Sequence, residues 1–173
     1  MKKLVFIAST LILFLLAQSV SAQKTNKDIV DVAVSVDDFS TLVTALKAAD
    51  LVDALKGDGP FTVFAPTNDA FGKIDSKTLN SLLEPANKGK LTSILTYHVV
   101  SGKLAAGDVV NALKKGNGKT EVATLGGAKL KVIQKDGKIW LKDQNGKYSQ
   151  IVKTDVMAKN GVIHVISDVV MPK

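Results

Sequence analysis

The chain has 173 residues, 46% of them hydrophobic and 23% charged, a globular balance that excludes collagen-like and wholly disordered sequences. It has no cysteine, which excludes disulfide frameworks, thiol nucleophiles, iron–sulfur clusters and thiolate zinc sites. All 23 basic residues are lysine and the net charge is +7; with no arginine fork for phosphate or guanine, no specific nucleic-acid partner is expected.

At the start of the chain, Lys2 and Lys3 precede an apolar run from Leu4 to Leu16, and Val20-Ser21-Ala22 places small residues where a signal peptidase reads. Residues 1–22 are expected to be a cleaved signal peptide. The run is too short to span a bilayer comfortably, and no later segment is apolar enough to do so. Residues 23–173 are then expected to form one secreted or periplasmic domain, long enough to bury a core without staples.

Asn26-Lys27-Asp28-Ile29 reads as a helix start. Phe39, Leu42, Val43 and Leu46 recur at helical spacing behind Asp37 and Asp38. Asp50 is placed to cap a second, short helix carrying Leu51, Val52 and Leu55, with Gly57 as its stop. Phe61 to Ala65 reads as a strand closed by Pro66, after which Thr67 or Asn68 caps a helical turn. Ser76 is placed to cap Leu79, Leu82 and Leu83; Leu91, Ile94, Leu95 and His98 continue a helical face after Pro85.

From Thr120 the hydrophobic period falls to two. Gly126-Gly127, Asp136-Gly137, Asn145-Gly146 and Asn160-Gly161 punctuate strands expected near 120–125, 128–134, 138–144, 147–154 and 162–170. Helices followed by a strand run give an α+β class with a C-terminal antiparallel meander rather than a parallel βαβ sheet. Charge follows the same division. Residues 23–102 carry 8 lysines against 10 acids, whereas residues 103–159 carry 12 lysines against 5, so an anionic partner is expected to meet the second half.

Motifs for catalysis fail on spacing. Gly118-Lys119-Thr120 lacks the earlier glycine of a phosphate loop, because position 113 is leucine. His164, Ser167 and Asp168 have the residue types of a hydrolase triad, but no nucleophile elbow surrounds Ser167, and strand alternation would point it away from both partners. Two histidines are too few for most zinc sites. Both lie on apolar faces and are expected to be core residues with satisfied nitrogens. Neither a metal nor a cofactor is expected.

Three blocks resemble the fasciclin domain family: Thr62-Val63-Phe64-Ala65-Pro66-Thr67-Asn68-Asp69-Ala70-Phe71, Tyr97-His98, and Asn160-Gly161-Val162-Ile163-His164-Val165-Ile166 continuing through Asp168-Val169-Val170 to Pro172. With the helical opening, the resemblance covers nearly all of residues 24–173. It implies a wedge-like β-structure with an N-terminal helix cluster, and a noncatalytic adhesion or matrix-binding role. In animal members, integrin-dependent adhesion is attributed to an Asp-Ile element and to the Tyr-His segment. The matching positions are Asp155-Val156, where valine replaces isoleucine, and Tyr97-His98.

A second surface follows from hairpin register. A two-residue turn at Asp136-Gly137 sets Lys135 opposite Lys138, Ile133 opposite Trp140 and Lys131 opposite Lys142 on one side; Leu130, Val132, Ile139 and Leu141 take the other. The same turn at Asn145-Gly146 would add Ile151 and Lys153 to the first side. Lys131, Lys138 and Lys142 then frame the only tryptophan as a contact face for an anionic polymer, either acidic polysaccharide or extracellular DNA. The alternative is a solvated face whose lysines discourage edge-to-edge aggregation, with the apolar row covered by another element.

The leading expectation is a secreted adhesion module whose partner is a cell-surface or matrix protein or an acidic polysaccharide. Its expected state is a monomer, with weak self-association as the alternative. A carrier or receptor for a small apolar or glycan ligand, held between helices and sheet, is the second reading. A hydrolase using His98 or His164 is the third.

Overall fold

The computed structural model describes residues 25–173; the expected signal peptide and its cleavage point lie outside the described residues. The opening helices form where the pattern places them. Helix α1 (Ile29–Val34) begins at Asp28, whose carboxylate accepts the Asp31 N–H at 2.8 Å while Asp31 reaches back to the Asp28 N–H, a reciprocal cap. Helix α2 (Ser40–Ala48) buries Leu42, Val43, Ala45 and Leu46. Asp50 adopts a left-handed φ of 54° just beyond it and pairs with Lys88. It does not cap α3 (Val52–Lys56), which has no side-chain cap.

Strand β1 (Phe61–Pro66) leads through Thr67, the cap of α4 (Asn68–Gly72). Asn68 turns back instead, accepting the Thr41 N–H and donating to the Asp37 carbonyl. In α5 (Ser76–Leu83) the capping side chain is Asp75, one residue before the expected Ser76. Helix α6 (Lys88–Tyr97) runs into a short strand β2 (Val99–Ser101). Helix α7 (Ala106–Lys115) then fills a stretch to which the pattern assigns no element, just before the run of strands, burying Val109 and Leu113.

The meander follows as β3 (Lys119–Ala123), β4 (Lys129–Lys135), β5 (Lys138–Lys142), β6 (Tyr148–Ala158) and β7 (Gly161–Ile166). These strands form one sheet in the order β2-β1-β7-β6-β5-β4-β3. Every pairing is antiparallel except β1 with β7, which is parallel and runs in register from Phe61/Gly161 to Pro66/Ile166. The two ends of the sheet approach each other, with Val100 bridged to Thr124 and the Leu125 N–H donating to the Val99 carbonyl at 2.6 Å.

Curling divides the core in two. Val63, Ala65, Ile163 and Val165 pack under α1, α2 and α6, whereas Phe64 and Ile166 face a second core shared with Tyr97, Val109, Leu113, Leu130, Val132 and Leu141. Strands β1 and β7 are therefore covered on both sides, as a parallel pair requires. Two register shifts in β6, between Ile151 and Lys153 and between Lys153 and Val156, bend this 11-residue strand so that it serves both halves of the sheet. Among the described residues no helix is long and apolar enough to cross a membrane.

Candidate functional site

The two residue groups singled out in the sequence occupy different environments. Tyr97 and His98 end α6 facing inward, 1% and 2% exposed. The Tyr97 hydroxyl donates to the Lys129 carbonyl at 3.2 Å. Burial pushes this phenol up to about 12, with the Asp143 carboxylate adding to the effect. Nδ1 of His98 lies 2.8 Å from the Ile94 carbonyl, and Nε2 accepts the Val170 N–H at 3.2 Å. These partners select the neutral ring protonated at Nδ1, and burial lowers its pKa to about 4.

His164 carries the opposite tautomer. Its Nε2 donates to the Leu104 carbonyl at 2.7 Å and its Nδ1 accepts the Asp155 N–H at 3.3 Å, beside the Phe64 ring. Asp155 sits at a register shift of β6 with φ 58°, and its Oδ1 accepts the Ala106 N–H at 2.8 Å, the first residue of α7. Val156 packs half-buried against the helical core. Asp155 therefore holds the start of α7 and His98 holds the C-terminal segment; Tyr97 and His98 are buried, and Asp155 and Val156 are half-buried.

Replacing Asp155 by alanine should cost about 1–2 kcal/mol, because a helix-start acceptor is lost and alanine is disfavoured at positive φ. Glycine at the same position should cost less, since it keeps the backbone and loses only the acceptor. Chemical denaturation of the two variants measures the difference.

Ser167 and Asp168 do meet, contrary to the alternation expected for a strand reaching residue 170. The strand ends at Ile166, and in the bend beyond it Ser167 Oγ donates to Asp168 Oδ2 at 2.6 Å. Lys73 Nζ holds the other carboxylate oxygen at 2.8 Å. Both nitrogens of His164 are engaged elsewhere, so no imidazole serves Ser167.

The outer face of β3–β6 is built as the first hairpin predicts. Lys135 opposes Lys138, Ile133 opposes Trp140 and Lys131 opposes Lys142, set by Asp136 and Gly137 at φ 54° and 72°, the geometry of a tight two-residue turn. The next hairpin differs. Asp143 N–H donates to the Lys147 carbonyl, and Gly146 takes φ 85°, so the loop holds three residues and the register slips by one. Trp140 faces Gln150 and Lys142 faces Tyr148; Ile151 turns into the second core, and neither Ile151 nor Lys153 joins the tryptophan. Asp143 makes this loop by accepting the Asn145 and Lys147 N–H groups at 2.9 and 2.8 Å.

The result is an open groove of about 570 Å³, floored by Ile133, Trp140 and Tyr148 and edged by Lys119, Lys131, Lys135 and Lys142. A second hollow of about 350 Å³ shares Lys131 and Lys142 and adds Lys129 and Lys173. Lys142 Nζ lies 5.0 Å from the Tyr148 ring centroid, within cation–π range. The Trp140 indole N–H is buried and has no hydrogen-bond partner among the described residues. Lys138 stands exposed at the hairpin tip. The covered apolar row considered from the sequence is thus replaced by an open one. Tyr148, Lys119 and Lys129 were missed there; Asp143, two residues before Asn145, was the signal for the longer loop.

The fasciclin domain model matches residues 37–172. The chain belongs to the fasciclin domain family. Protein sll1483 of Synechocystis is 51% identical over 83% of this chain and 73% of its own length. The immunogenic protein MPT70 of Mycobacterium tuberculosis is 35% identical over 88% of this chain and 73% of its own. The transforming growth factor-beta-induced protein ig-h3 of Sus scrofa is also 35% identical, but the match spans only 19% of that longer protein. Among solved structures, a FAS1 domain pair from the insect cell adhesion molecule fasciclin I superposes with a TM-score of 0.72 and 21% identity, covering 82% of this chain and 50% of that one. This likeness shows the fold: the helix cluster and curled sheet form the wedge that the resemblance implied. The fasciclin family is one of adhesion- and matrix-related proteins, generally without enzymatic activity.

Proposed function

We propose that the chain is exported by cleavage after Ala22 and acts as a noncatalytic adhesion or matrix-binding module. The observation that carries this reading is a family domain spanning most of the chain whose buried Tyr97, His98 and His164 bond to its own backbone, while the β3–β6 face stays open. In this reading Tyr97, His98, Asp155 and Val156 are the internal frame, and Trp140 with Lys131, Lys138 and Lys142 belongs to the contact surface. The domain works as a monomer without cofactor.

A carrier of small apolar ligands would need an enclosed cavity between helices and sheet. The space there, bounded by Leu42, Leu46, Leu55, Leu95 and Ile163, is about 10 Å³, about one water. Attachment of secreting cells to beads coated with the purified protein should fall as soluble protein is added in excess. Attachment that is indifferent to the competitor overturns the adhesion reading.

A further inference from the structure

We propose that the outer face of β3–β6 is a binding track for a carboxylated polysaccharide, with a sugar ring lying on Trp140 and Tyr148 and its carboxylates met by the flanking ammonium groups. The inference rests on the adhesion reading and names the class of partner. Three observations support it.

First, register gathers charge that folding does not need. Lys119, Lys129, Lys131, Lys135, Lys138 and Lys142 project from one face, against Glu121 and the turn residue Asp136. Two of the cross-strand pairs, Lys131 with Lys142 and Lys135 with Lys138, set like charges directly opposite each other, which destabilises a sheet. Glu121 offsets part of this, 3.6 and 3.7 Å from Lys129 and Lys131, but exposed pairs of that kind contribute little. A polyanion would relieve the repulsion that remains.

Second, the lysines surround an aromatic floor. The two hollows join at Lys131 and Lys142, so the surface is a track rather than a point site. Successive same-face residues along β4 are separated by roughly 7 Å, and neighbouring strands by about 5 Å, so charges recur at intervals along a bound chain.

Third, the Trp140 N–H lacks an acceptor among the described residues. A ligand hydroxyl or carboxylate that moves a covering side chain would supply one. A nucleic acid fits less well. The chain has no arginine for bidentate phosphate contacts, and single-stranded binders offer aromatic platforms to successive bases, whereas this floor holds one indole and one phenol.

Trp140 is the only tryptophan, so the unaltered protein carries its own probe. Adding alginate should shift Trp140 emission saturably, and neutral dextran should not. Lys131→Glu combined with Lys142→Glu, or Trp140→Ala, should weaken alginate binding about tenfold or more. Lys114→Glu with Lys115→Glu, the same charge change placed on α7 away from the face, should leave it within about twofold. Trp140→Phe, which keeps an aromatic floor, should retain most of the binding even if the alanine variant folds poorly.

Equal losses in the two double variants would reduce the effect to net charge and overturn the proposal. Tighter binding of single-stranded DNA than of alginate, lost on the same substitutions, would overturn it in favour of nucleic acid. If alginate causes no emission shift while bead competition succeeds, this proposal fails and the adhesion reading stands. If alginate binds but competition fails, the adhesion reading fails instead.

Discussion

Gly161→Ala should destabilise the domain by about 3 kcal/mol or more, beyond the usual range for a single added methyl group in a core. A Cβ on Gly161 would stand 2.1 Å from the Phe61 carbonyl oxygen and 2.7 Å from Ile29 Cδ1. The nearer atom is backbone, and it cannot step aside. Phe61 and Gly161 form the first register pair of the parallel β1–β7 ladder, and the Phe61 N–H is already bonded to the Asn160 carbonyl at 3.0 Å.

The adjacent Asn160 multiplies the damage. Its side chain accepts the Ile29 N–H at 3.0 Å and donates to the carbonyls of Leu55 and Gly57 at 2.8 Å, so one turn fastens α1, α3 and β1 to the sheet. A shift there loosens all of them. Of a total stability of about 5–15 kcal/mol, this loss should lower Tm by roughly 10 °C in a domain of this size. Gly107→Ala is the control. It lies within α7 with no atom near its added methyl, so it should be neutral or stabilise by about 0.5–1 kcal/mol. A Gly161→Ala protein that denatures within about 1 kcal/mol of the parent would refute the close-approach account.

Local rules account for much of what was legible in the sequence, and distance accounts for much of what was not. The Asp136-Gly137 hairpin was readable to the residue because both turn positions take positive φ, a geometry that admits few sequences and leaves one register. The Asn145-Gly146 hairpin has the same dipeptide signal but a different loop, because Asp143 captures two backbone N–H groups. A one-residue slip reverses every side chain, which is why Tyr148 came to the groove and Ile151 left it. This error altered the site without altering the fold.

Helix α7 escaped notice for a longer-range reason. Only Val109 and Leu113 are buried on it, its last turn is basic, and a carboxylate that holds its start belongs to Asp155, 49 residues later. The parallel β1–β7 pair has no short-range signal either, since its partners lie about a hundred positions apart. In contrast, the inward placement of His98 beside Leu91, Ile94 and Leu95 was evident from helical spacing. The identity of its hydrogen-bond partner Val170, 72 residues away, was not.

That partner makes His98 a source of acid sensitivity. In the fold its Nε2 accepts the Val170 N–H, so a proton on Nε2 would set donor against donor inside the buried core. Burial accordingly lowers the pKa from 6.5 to about 4. The unfolded chain takes up this proton near pH 6.5 and the folded chain only near pH 4, so between those values the unfolded state binds more protons and stability rises with pH. The contribution is fully present above about pH 6.5, shrinks as the solution is acidified, and has gone by about pH 4. Its full size is on the order of 3 kcal/mol.

The His98→Asn variant should be less stable than the parent at pH 7, and the gap should narrow as the pH falls from 6.5 to 4. The steepest narrowing is the one-proton slope of about 1.4 kcal/mol per pH unit. Urea denaturation at half-unit pH intervals reads the difference directly, and the carboxylates common to both proteins cancel in it. Parallel curves would mean that His98 titrates alike in both states, and the buried acceptor role assigned to Nε2 would fall with that result. Narrowing together with early acid-induced exchange at the Val170 amide would place the release at the C-terminal segment that His98 holds.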